Sequence, residues 1–310
     1  MEQYTCSATS AGEGVNFFSN VDLYPHFSRE GFTQEHLDLV VSRGSTKTPF
    51  QIHYRDGADE TLVYHEQEAL AVYPWNKMCH GQTLMYAAYP FIELQRQMNG
   101  YVTAHSAAVE LGGASILLLG KIGAGKTSIA IDLCRRYGAS LIGNDITIVG
   151  LQDGTLCLKG GTEFFFLRYE SIKRNLPDLL RFFPADPVDT WLQKQKIQPE
   201  EIGAKIKRGK SSIRKVYLVH VDEKSPSIFI EKDDSLVTKL FLNENFSRYI
   251  RGTCLAMFGG EKLDLLDYIP SYDNIRLYEF RKKFIAVIMR EIFYISGPLQ
   301  AVTDYIAKSI

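Results

Sequence analysis

Apolar residues in the middle of the chain form a pattern that predicts a strand, a loop, a helix and a second strand. The runs at residues 114–119 and 139–142 are almost continuously apolar, which is typical of strands buried on both faces. Residues 127–137 between them have helical spacing of apolar positions, and Gly138 is placed to end the helix. Residues 120–126, rich in glycine, connect the first strand to this helix.

The flanking sequence predicts a mixture of short strands and helices. Preceding strands are expected at residues 37–43, 50–54, 61–64, 69–73 and 102–110, with a helix at 79–98 that is interrupted or bent near Pro90. Asp153-Gly154 is typical of a hairpin turn between strands at 147–151 and 155–159. The later elements are strands at 164–166, 212–221 and 228–232, helices at 236–249, 277–292 and 299–306, and an irregular connection at 177–199.

Composition narrows the class of protein. The chain has 310 residues and a formal net charge of -1, so no strong overall field favours nucleic acid or anionic lipid. The five cysteines are scattered, which argues against a disulfide framework or a zinc site. The first twenty residues lack the basic and apolar regions of a signal peptide, and no apolar run is long enough for a membrane span. We expect a cytosolic protein that binds neither nucleic acid nor membrane.

Residues 120–127 read GKIGAGKT and fit the pattern G-x-x-x-x-G-K-S/T at every position. Glycines let backbone N–H groups point at phosphate oxygens, the helix N-terminus adds partial positive charge, the lysine reaches the β- and γ-phosphates, and the threonine hydroxyl binds Mg²⁺. An incidental glycine-rich turn would explain neither the spacing nor the threonine. The motif predicts a purine nucleoside triphosphate with magnesium, held by Gly120, Lys121, Ile122, Gly123, Ala124, Gly125, Lys126, Thr127 and Ser128.

A carboxylate at a neighbouring strand end usually completes the magnesium site of such a loop. Asp145 follows the second apolar run, nineteen positions after Lys126, and is the candidate. The other interpretation is a turn aspartate after a strand. Asn144, just before it, cannot ionise and so cannot serve as a base.

The segment from His105 to Asp145 resembles the core of HPr kinase/phosphorylase and its shorter relatives. The matching features are His105-Ser-Ala-Ala-Val, the apolar strand, residues 120–127, and Leu-Ile-Gly-Asn144-Asp145. The resemblance implies an α/β P-loop core of the HPr-kinase/carboxykinase type with a mixed sheet, in a domain at residues 100–310. A smaller N-terminal α+β region at 1–99 precedes it. The family often forms oligomers, so a homo-oligomer is open.

The resemblance also implies roles for individual residues. The family has a histidine near its active centre before the buried strand, where His105 stands. It has two consecutive acids after the next strand, one for the metal and one proposed as the base, whereas this chain has Asn144 and Asp145. Three alternatives follow. The base is His105; or Glu163 supplies the missing carboxylate and joins Thr127 and Asp145 at the metal; or transfer needs no base.

Basic residues outside this core are candidates for binding the substrate. Residues 205–215 contain six cations and no acid, so they form either a loop that closes over an acidic group, with Lys210 in contact, or a solvated connection. Arg248 and Arg251 lie on one face at the end of a predicted helix and either clamp an anion or lie on the surface. Arg168 either reaches the site or caps a strand.

Three functions are consistent with these features. The first is an ATP- and Mg²⁺-dependent kinase of the HPr-kinase-like type, acting on a hydroxyl of a peptide or small molecule in a biosynthetic pathway, with a seryl group favoured. The HPr-kinase signature that follows the core in true HPr kinases is missing, which argues against HPr as the acceptor. The second is a nucleotide-binding regulatory protein without transfer, favoured by Asn144. The third is a phosphoenolpyruvate- or pyrophosphate-using enzyme of the wider carboxykinase-like group.

Overall fold

The computed structural model describes residues 3–29, 38–78, 81–184, 193–251, 256–259, 264–268 and 271–310. It divides into two compact units. The first comprises Met1–Val102 and Phe246–Arg281, and the second comprises Thr103–Asn245 and Lys282–Ile310. Each unit has its own cluster of buried apolar side chains. Every helix in the described part of the chain is too short or too polar to span a membrane.

The first unit contains a six-stranded mixed sheet in the order β3-β1-β2-β4-β6-β5. Its strands and helices before residue 100 are β1 (Tyr4–Ser10), β2 (Glu13–Ser19), α1 (Tyr24–Phe27), β3 (Val40–Arg43), β4 (Gln51–Arg55), β5 (Thr61–Tyr64), β6 (Glu68–Val72) and α2 (Gln82–Met98). The helix was predicted to be interrupted or bent near Pro90, and an interruption is wrong, because α2 runs through this residue. The start predicted for this helix at Cys79 lies outside the described residues.

Polar side chains at the C-terminal end of α2 bind the later segment of the first unit. The amide of Gln97 donates to the carbonyl of Phe246 at 3.2 Å and accepts from the Arg281 guanidinium at 2.6 Å. Arg281 is buried and also pairs with Asp273 at 2.7 Å. These contacts explain why residues 246–281, which the sequence assigned to the domain at 100–310, group with the first unit. This segment also contains β18 (Ala256–Gly259) and β19 (Asp264–Tyr268).

The strands of the second unit are β7 (Tyr101–His105), β8 (Ala107–Leu111), β9 (Ala114–Leu119), β10 (Ser140–Gly143), β11 (Ile146–Gln152), β12 (Thr155–Gly161), β13 (Phe165–Arg168), β14 (Lys194–Ile197), β15 (Lys205–Ile206), β16 (Ser211–Val221), β17 (Phe229–Lys232) and β20 (Ile292–Gly297). The larger mixed sheet has the order β15-β10-β8-β9-β16-β12-β11-β7. The long strand β16 also pairs in parallel with β20, which in turn pairs with β17. β13 and β14 form a separate two-stranded sheet. The expected α/β chain with a mixed sheet is confirmed.

The helices that lie wholly within the second unit are α3 (Lys126–Tyr137), α4 (Tyr169–Asn175) and α7 (Leu299–Lys308). By contrast, α5 (Leu236–Ser247) and α6 (Ile275–Glu291) are divided between the two units. Short 3₁₀ turns occur at Pro177–Phe182 and Pro199–Ile202. Arg136 of α3 pairs with Asp304 of α7 at 2.6 Å, which helps to fix these two helices against each other.

One predicted strand is divided in two in the structure. The single strand predicted at residues 102–110 is two strands separated at Ser106, whose hydroxyl hydrogen-bonds that of Thr147. β7 then pairs with β11, whereas β8 pairs with β9 and β10. The predicted strand at 139–142 is β10, displaced by one residue.

Cys6 and Cys134 are buried free thiols, and Cys79 and Cys254 lie outside the described residues.

Candidate functional site

The 120–127 motif lies where the sequence predicts it, between the end of β9 and the first turn of α3. Its glycines are required by close contact with β16. A Cβ on Gly125, which has φ +93°, would lie 2.3 Å from Cγ2 of Val221, and a Cβ on Gly120 would lie 2.8 Å from the carbonyl oxygen of Val219. The Val221 N–H also donates to the Ala124 carbonyl at 2.9 Å. The loop is therefore fixed to the adjacent strand end, with its N–H groups at the start of a helix.

Lys126 begins α3, and its side chain folds back over the loop. The ammonium donates to the carbonyl oxygens of Gly120 and Lys121, at 2.9 and 3.1 Å. The side chain is buried, and this desolvation lowers the pKa of Lys126 to about 8, while the charge of Asp145 acts in the opposite direction. A desolvated ammonium held by neutral carbonyls would gain from a phosphate anion.

Asn144 connects the end of β10 to the motif. The Thr127 hydroxyl donates to its Oδ1 at 2.9 Å, although β8 lies between β10 and β9, the strand that leads into the motif. The Asn144 side chain is fully buried, and its Nδ2 has no hydrogen-bond partner among the described residues. The contact orients the Thr127 hydroxyl and leaves one buried amide donor available.

The backbone around Asn144 is fixed by β12 and the residue that follows it. The Asn144 N–H donates to the Thr162 carbonyl at 3.0 Å, and the Thr162 N–H donates to the Ile146 carbonyl at 2.9 Å. A Cβ on Gly143 would lie 2.9 Å from the Cα of Gly161. Glycine at both positions allows the strands to approach closely enough to hold the Asn144-Asp145 turn.

Asp145 has a left-handed backbone with φ +61°, which costs free energy in a residue with a side chain. Burial raises the pKa of its carboxyl group above the ordinary value. The positive charges of Lys126, Lys194 and Arg168 oppose that rise, in decreasing order. A desolvated carboxylate among cations is typical of functional sites, although structural ion pairs also produce it.

Lys194 is a candidate that the sequence analysis missed. It is the first residue of β14, and it lies directly opposite Arg168 in the antiparallel pair of β13 and β14. Residues 177–199 were predicted to be an irregular connection, so no strand was expected there. The pairing brings together two residues 26 positions apart, and no local signal indicates it.

His105 is the last residue of β7 and is half-buried. The Asn245 side chain binds its backbone on both sides, accepting from the N–H at 2.8 Å and donating to the carbonyl at 3.2 Å. The next residue, Ser106, contacts Thr147, two positions after Asp145. This connection places His105 near the Asn144-Asp145 turn along the sheet, and its role as a base stays a prediction.

Glu163 follows Thr162 and is engaged by a cation. The guanidinium of Arg208 binds both oxygens of its carboxylate at 2.7 to 3.1 Å. Among the described residues, no three His, Cys, Asp or Glu side chains form a group that could hold a metal ion. A magnesium site here would rely on Thr127, Asp145, water and nucleotide oxygens, which suits the ion's preference for few protein ligands.

The remaining predicted substrate residues are placed as follows. Residues 205–215 are not one loop, because 205–206 form β15 beside β10 and β16 begins at Ser211. Lys210 is exposed in the turn between these strands. Arg248 and Arg251 follow the end of α5 and belong to the first unit, so their role stays a prediction.

No protein-family model and no curated protein matches the chain. Among solved structures, the chain is similar to the Hpr(Ser) kinase/phosphatase from Coxiella burnetii, with 12% sequence identity and a TM-score of 0.24. The match covers 42% of this chain and 72% of that one.

Proposed function

We propose that this protein is an ATP- and Mg²⁺-dependent phosphotransferase of the HPr-kinase-like type. It transfers the γ-phosphate to a hydroxyl group, preferentially a seryl group of a peptide or small molecule made in a biosynthetic pathway. One observation carries the proposal: a loop with the full phosphate-binding motif joins β9 to α3, and its Thr127 hydroxyl is oriented by Asn144 at 2.9 Å.

The backbone N–H groups of the motif and the side chain of Lys126 bind the triphosphate. The N–H groups at the start of α3 point toward the phosphates, and the helix dipole adds to their attraction. Lys126 exchanges its contacts with the Gly120 and Lys121 carbonyls for phosphate oxygens. With a pKa of about 8, Lys126 is mostly protonated at neutral pH, and a bound anion would keep it protonated to higher pH.

The oxygen donors at the site fit a magnesium ion. Thr127 offers a hydroxyl, and Asp145 offers a carboxylate whose charge burial disfavours despite the nearby cations, so that its pKa is raised. A magnesium ion would favour the charged form of this carboxylate. Bound magnesium would neutralise charge on the β- and γ-phosphates. Oδ1 of Asn144 accepts a hydrogen bond from the Thr127 hydroxyl, which leaves the hydroxyl lone pairs free for the metal.

The transfer step is a simple displacement. The acceptor oxygen forms a bond to the γ-phosphorus as the bond to the β–γ bridging oxygen breaks, and ADP leaves with that electron pair. The hydroxyl proton passes to a base, for which His105 is the candidate, or to solvent. Asn144 cannot accept it.

A transfer assay read by mass spectrometry tests the proposal. Purified protein with ATP and Mg²⁺ is offered pools of serine- and threonine-containing peptides, free hydroxy amino acids and sugars, with Lys126→Ala as the control. We expect one acceptor to gain the mass of a phosphate, and the control to lose this product. ATP hydrolysis with no phosphorylated acceptor in any pool would contradict transfer.

Asn144 favours a second candidate function, a nucleotide-dependent regulatory protein without transfer. The family's second acid is replaced by a buried amide whose Oδ1 is engaged by Thr127. Tight nucleotide binding with a change in shape and no turnover would support this function. Steady formation of a phosphorylated product would exclude this regulatory function. Activity with phosphoenolpyruvate or pyrophosphate instead of ATP would favour the third function, a carboxykinase-like enzyme that uses one of these donors.

A further inference from the structure

Two adjacent hydroxyl groups in the first turn of α3 form hydrogen bonds of opposite direction. The Thr127 hydroxyl donates to Oδ1 of Asn144 at 2.9 Å. The Ser128 Oγ instead accepts from Nδ2 of Asn175, the last residue of α4, at 3.1 Å. Each hydroxyl is therefore held by one asparagine side chain, but one asparagine acts as the acceptor and the other as the donor.

The direction of each hydrogen bond decides which ligand the hydroxyl suits. A hydroxyl has one proton to donate and two lone pairs that accept. Thr127 uses its proton in the bond to Asn144, so its lone pairs are left for a cation. Ser128 uses a lone pair in the bond to Asn175, and in the described part of the chain its own proton has no acceptor within hydrogen-bond distance. Ser128 is therefore suited to donate to an anion.

The position of Ser128 favours a phosphate oxygen as that anion. Ser128 is the third residue of α3 after its N-cap, Gly125, and the backbone N–H groups of a first turn have no partner within the helix. The positive end of the helix dipole lies at the same place. Only 3% of the surface of Ser128 is exposed, so water is a poor partner for its hydroxyl proton. A phosphate bound at the start of α3 would supply the missing acceptor.

Asn175 is fixed in place by the packing of α4 against α3. Its neighbours Ile172 and Leu176 are buried in the same apolar cluster as Leu133 of α3. The Asn175 Oδ1 is buried and has no hydrogen-bond partner among the described residues. An unpaired buried oxygen costs stability, and an apolar side chain would avoid that cost. Packing alone therefore does not account for an asparagine at this position.

We propose that Asn175 is a positioning residue of the nucleotide site, which directs the hydroxyl proton of Ser128 to a phosphate oxygen. This inference rests on the proposed function. The adjacent Thr127, held in the opposite sense by Asn144, turns its lone pairs to magnesium. The first turn of α3 thereby offers a proton to the anion and lone pairs to the cation of the same magnesium nucleotide.

A double-mutant cycle on nucleotide binding tests this role. The variants are Asn175→Leu, Ser128→Ala and the double variant, and their affinities for MgATP and MgADP are measured by calorimetry. Asn175→Asp, alone and combined with Ser128→Ala, keeps the shape but replaces the Nδ2 donor by an acceptor. Ser171→Ala is the matched control, because it removes a polar group from the same helix one turn earlier. Circular dichroism and thermal unfolding show whether each variant is folded.

The cycle should show that the two side chains act as one unit. Ser128→Ala should weaken binding of both nucleotides about tenfold, and Asn175→Leu about fivefold. In the Ser128→Ala background, Asn175→Leu should change the affinity by less than about twofold, because the proton that Asn175 directs is then absent. Asn175→Asp should weaken binding at least as much as Asn175→Leu, since the Ser128 proton would turn to the new carboxylate. Ser171→Ala should bind like wild type.

Equal effects of Asn175→Leu with and without the Ser128 hydroxyl would overturn the inference, because Asn175 would then act on the fold rather than through Ser128. Wild-type affinity in folded Asn175→Leu or Ser128→Ala would overturn it as well. If Asn175→Leu does not fold, the same comparison is made with Asn175→Asp, whose effect should shrink in the Ser128→Ala background. If folded wild type binds neither nucleotide, the proposed function itself fails, whereas nucleotide binding without coupling between the two positions removes only this positioning role.

Discussion

The buried ammonium of Lys126 couples the stability of the protein to pH in a direction that can be measured. Its pKa is lowered from 10.5 to about 8 by desolvation. Between these values the unfolded chain keeps a proton that the native protein has released. Because the unfolded state then binds more protons, the free energy of unfolding rises with pH across this window.

The magnitude follows from the two pKa values. Between pH 7 and pH 10, a lysine with a native pKa of about 8 and an unfolded pKa of 10.5 adds about 2.5 kcal/mol to the free energy of unfolding. Lys126→Met has no titrating group at this position, so the contribution is absent. The difference in unfolding free energy, wild type minus Lys126→Met, should therefore rise by about this amount, since the contributions of titrating groups that do not interact with Lys126 cancel.

Urea unfolding at several pH values, in buffers free of phosphate and nucleotide, measures this difference. Anions are excluded because they would hold Lys126 protonated. Lys121→Met is the matched control, since Lys121 lies in the same loop with an exposed side chain, and its difference from wild type should not change with pH. A difference for Lys126→Met that stays flat from pH 7 to pH 10 would refute the reasoning.

Further predictions concern the same loop and its neighbour. MgATP affinity should fall as pH rises above the pKa of Lys126, about 8, because the neutral amine no longer attracts phosphate. Calorimetry in buffers of different ionisation enthalpy would measure the affinity and would also detect proton uptake on binding. Gly125→Ala should destabilise the protein by more than about 2 kcal/mol, because its Cβ would lie 2.3 Å from a methyl carbon of Val221. Gly123→Ala has no atom within 4 Å of its Cβ and should cost about 1 kcal/mol, from its positive φ alone. Equal losses of unfolding free energy in urea would contradict the packing argument. Asn144→Asp should lower the thermal unfolding midpoint in magnesium-free buffer, because it adds a buried carboxylate next to Asp145. Adding Mg²⁺ should raise the midpoint of this variant more than that of wild type. An equal rise in the two proteins would contradict a shared cation site.

Local sequence patterns predicted the centre of the second unit well. The apolar run, the glycine motif and the amphipathic segment correspond to β9, the loop and α3 within a residue or two, since each signal lies within one element. By contrast, β1 and β2 were missed because they are buried on both sides and carry buried serines and an asparagine, so no alternation marks them. β20 was missed because its apolar residues continue the helical pattern of α6.

The candidate site was only partly predictable for a related reason. The motif and Asp145 are legible because they follow apolar strands directly. The contact between Thr127 and Asn144 depends on the order β10-β8-β9 in the sheet, and the proximity of Lys194 depends on the pairing of β13 with β14. Sheet order and long-range pairing are set by packing across the whole unit, and no short pattern encodes them.

Direct titration with MgATP tests the central claim, that the 120–127 motif binds a nucleoside triphosphate. Wild type, Lys126→Met and Lys121→Met are compared by calorimetry at pH 7, with folding of each checked by circular dichroism. The account predicts one site per chain in wild type and in Lys121→Met, and a large loss of affinity in Lys126→Met. The reason is that the buried ammonium of Lys126 is held over the loop, whereas the side chain of Lys121 is exposed. Binding that is equal in all three proteins, or absent from folded wild type, would contradict it.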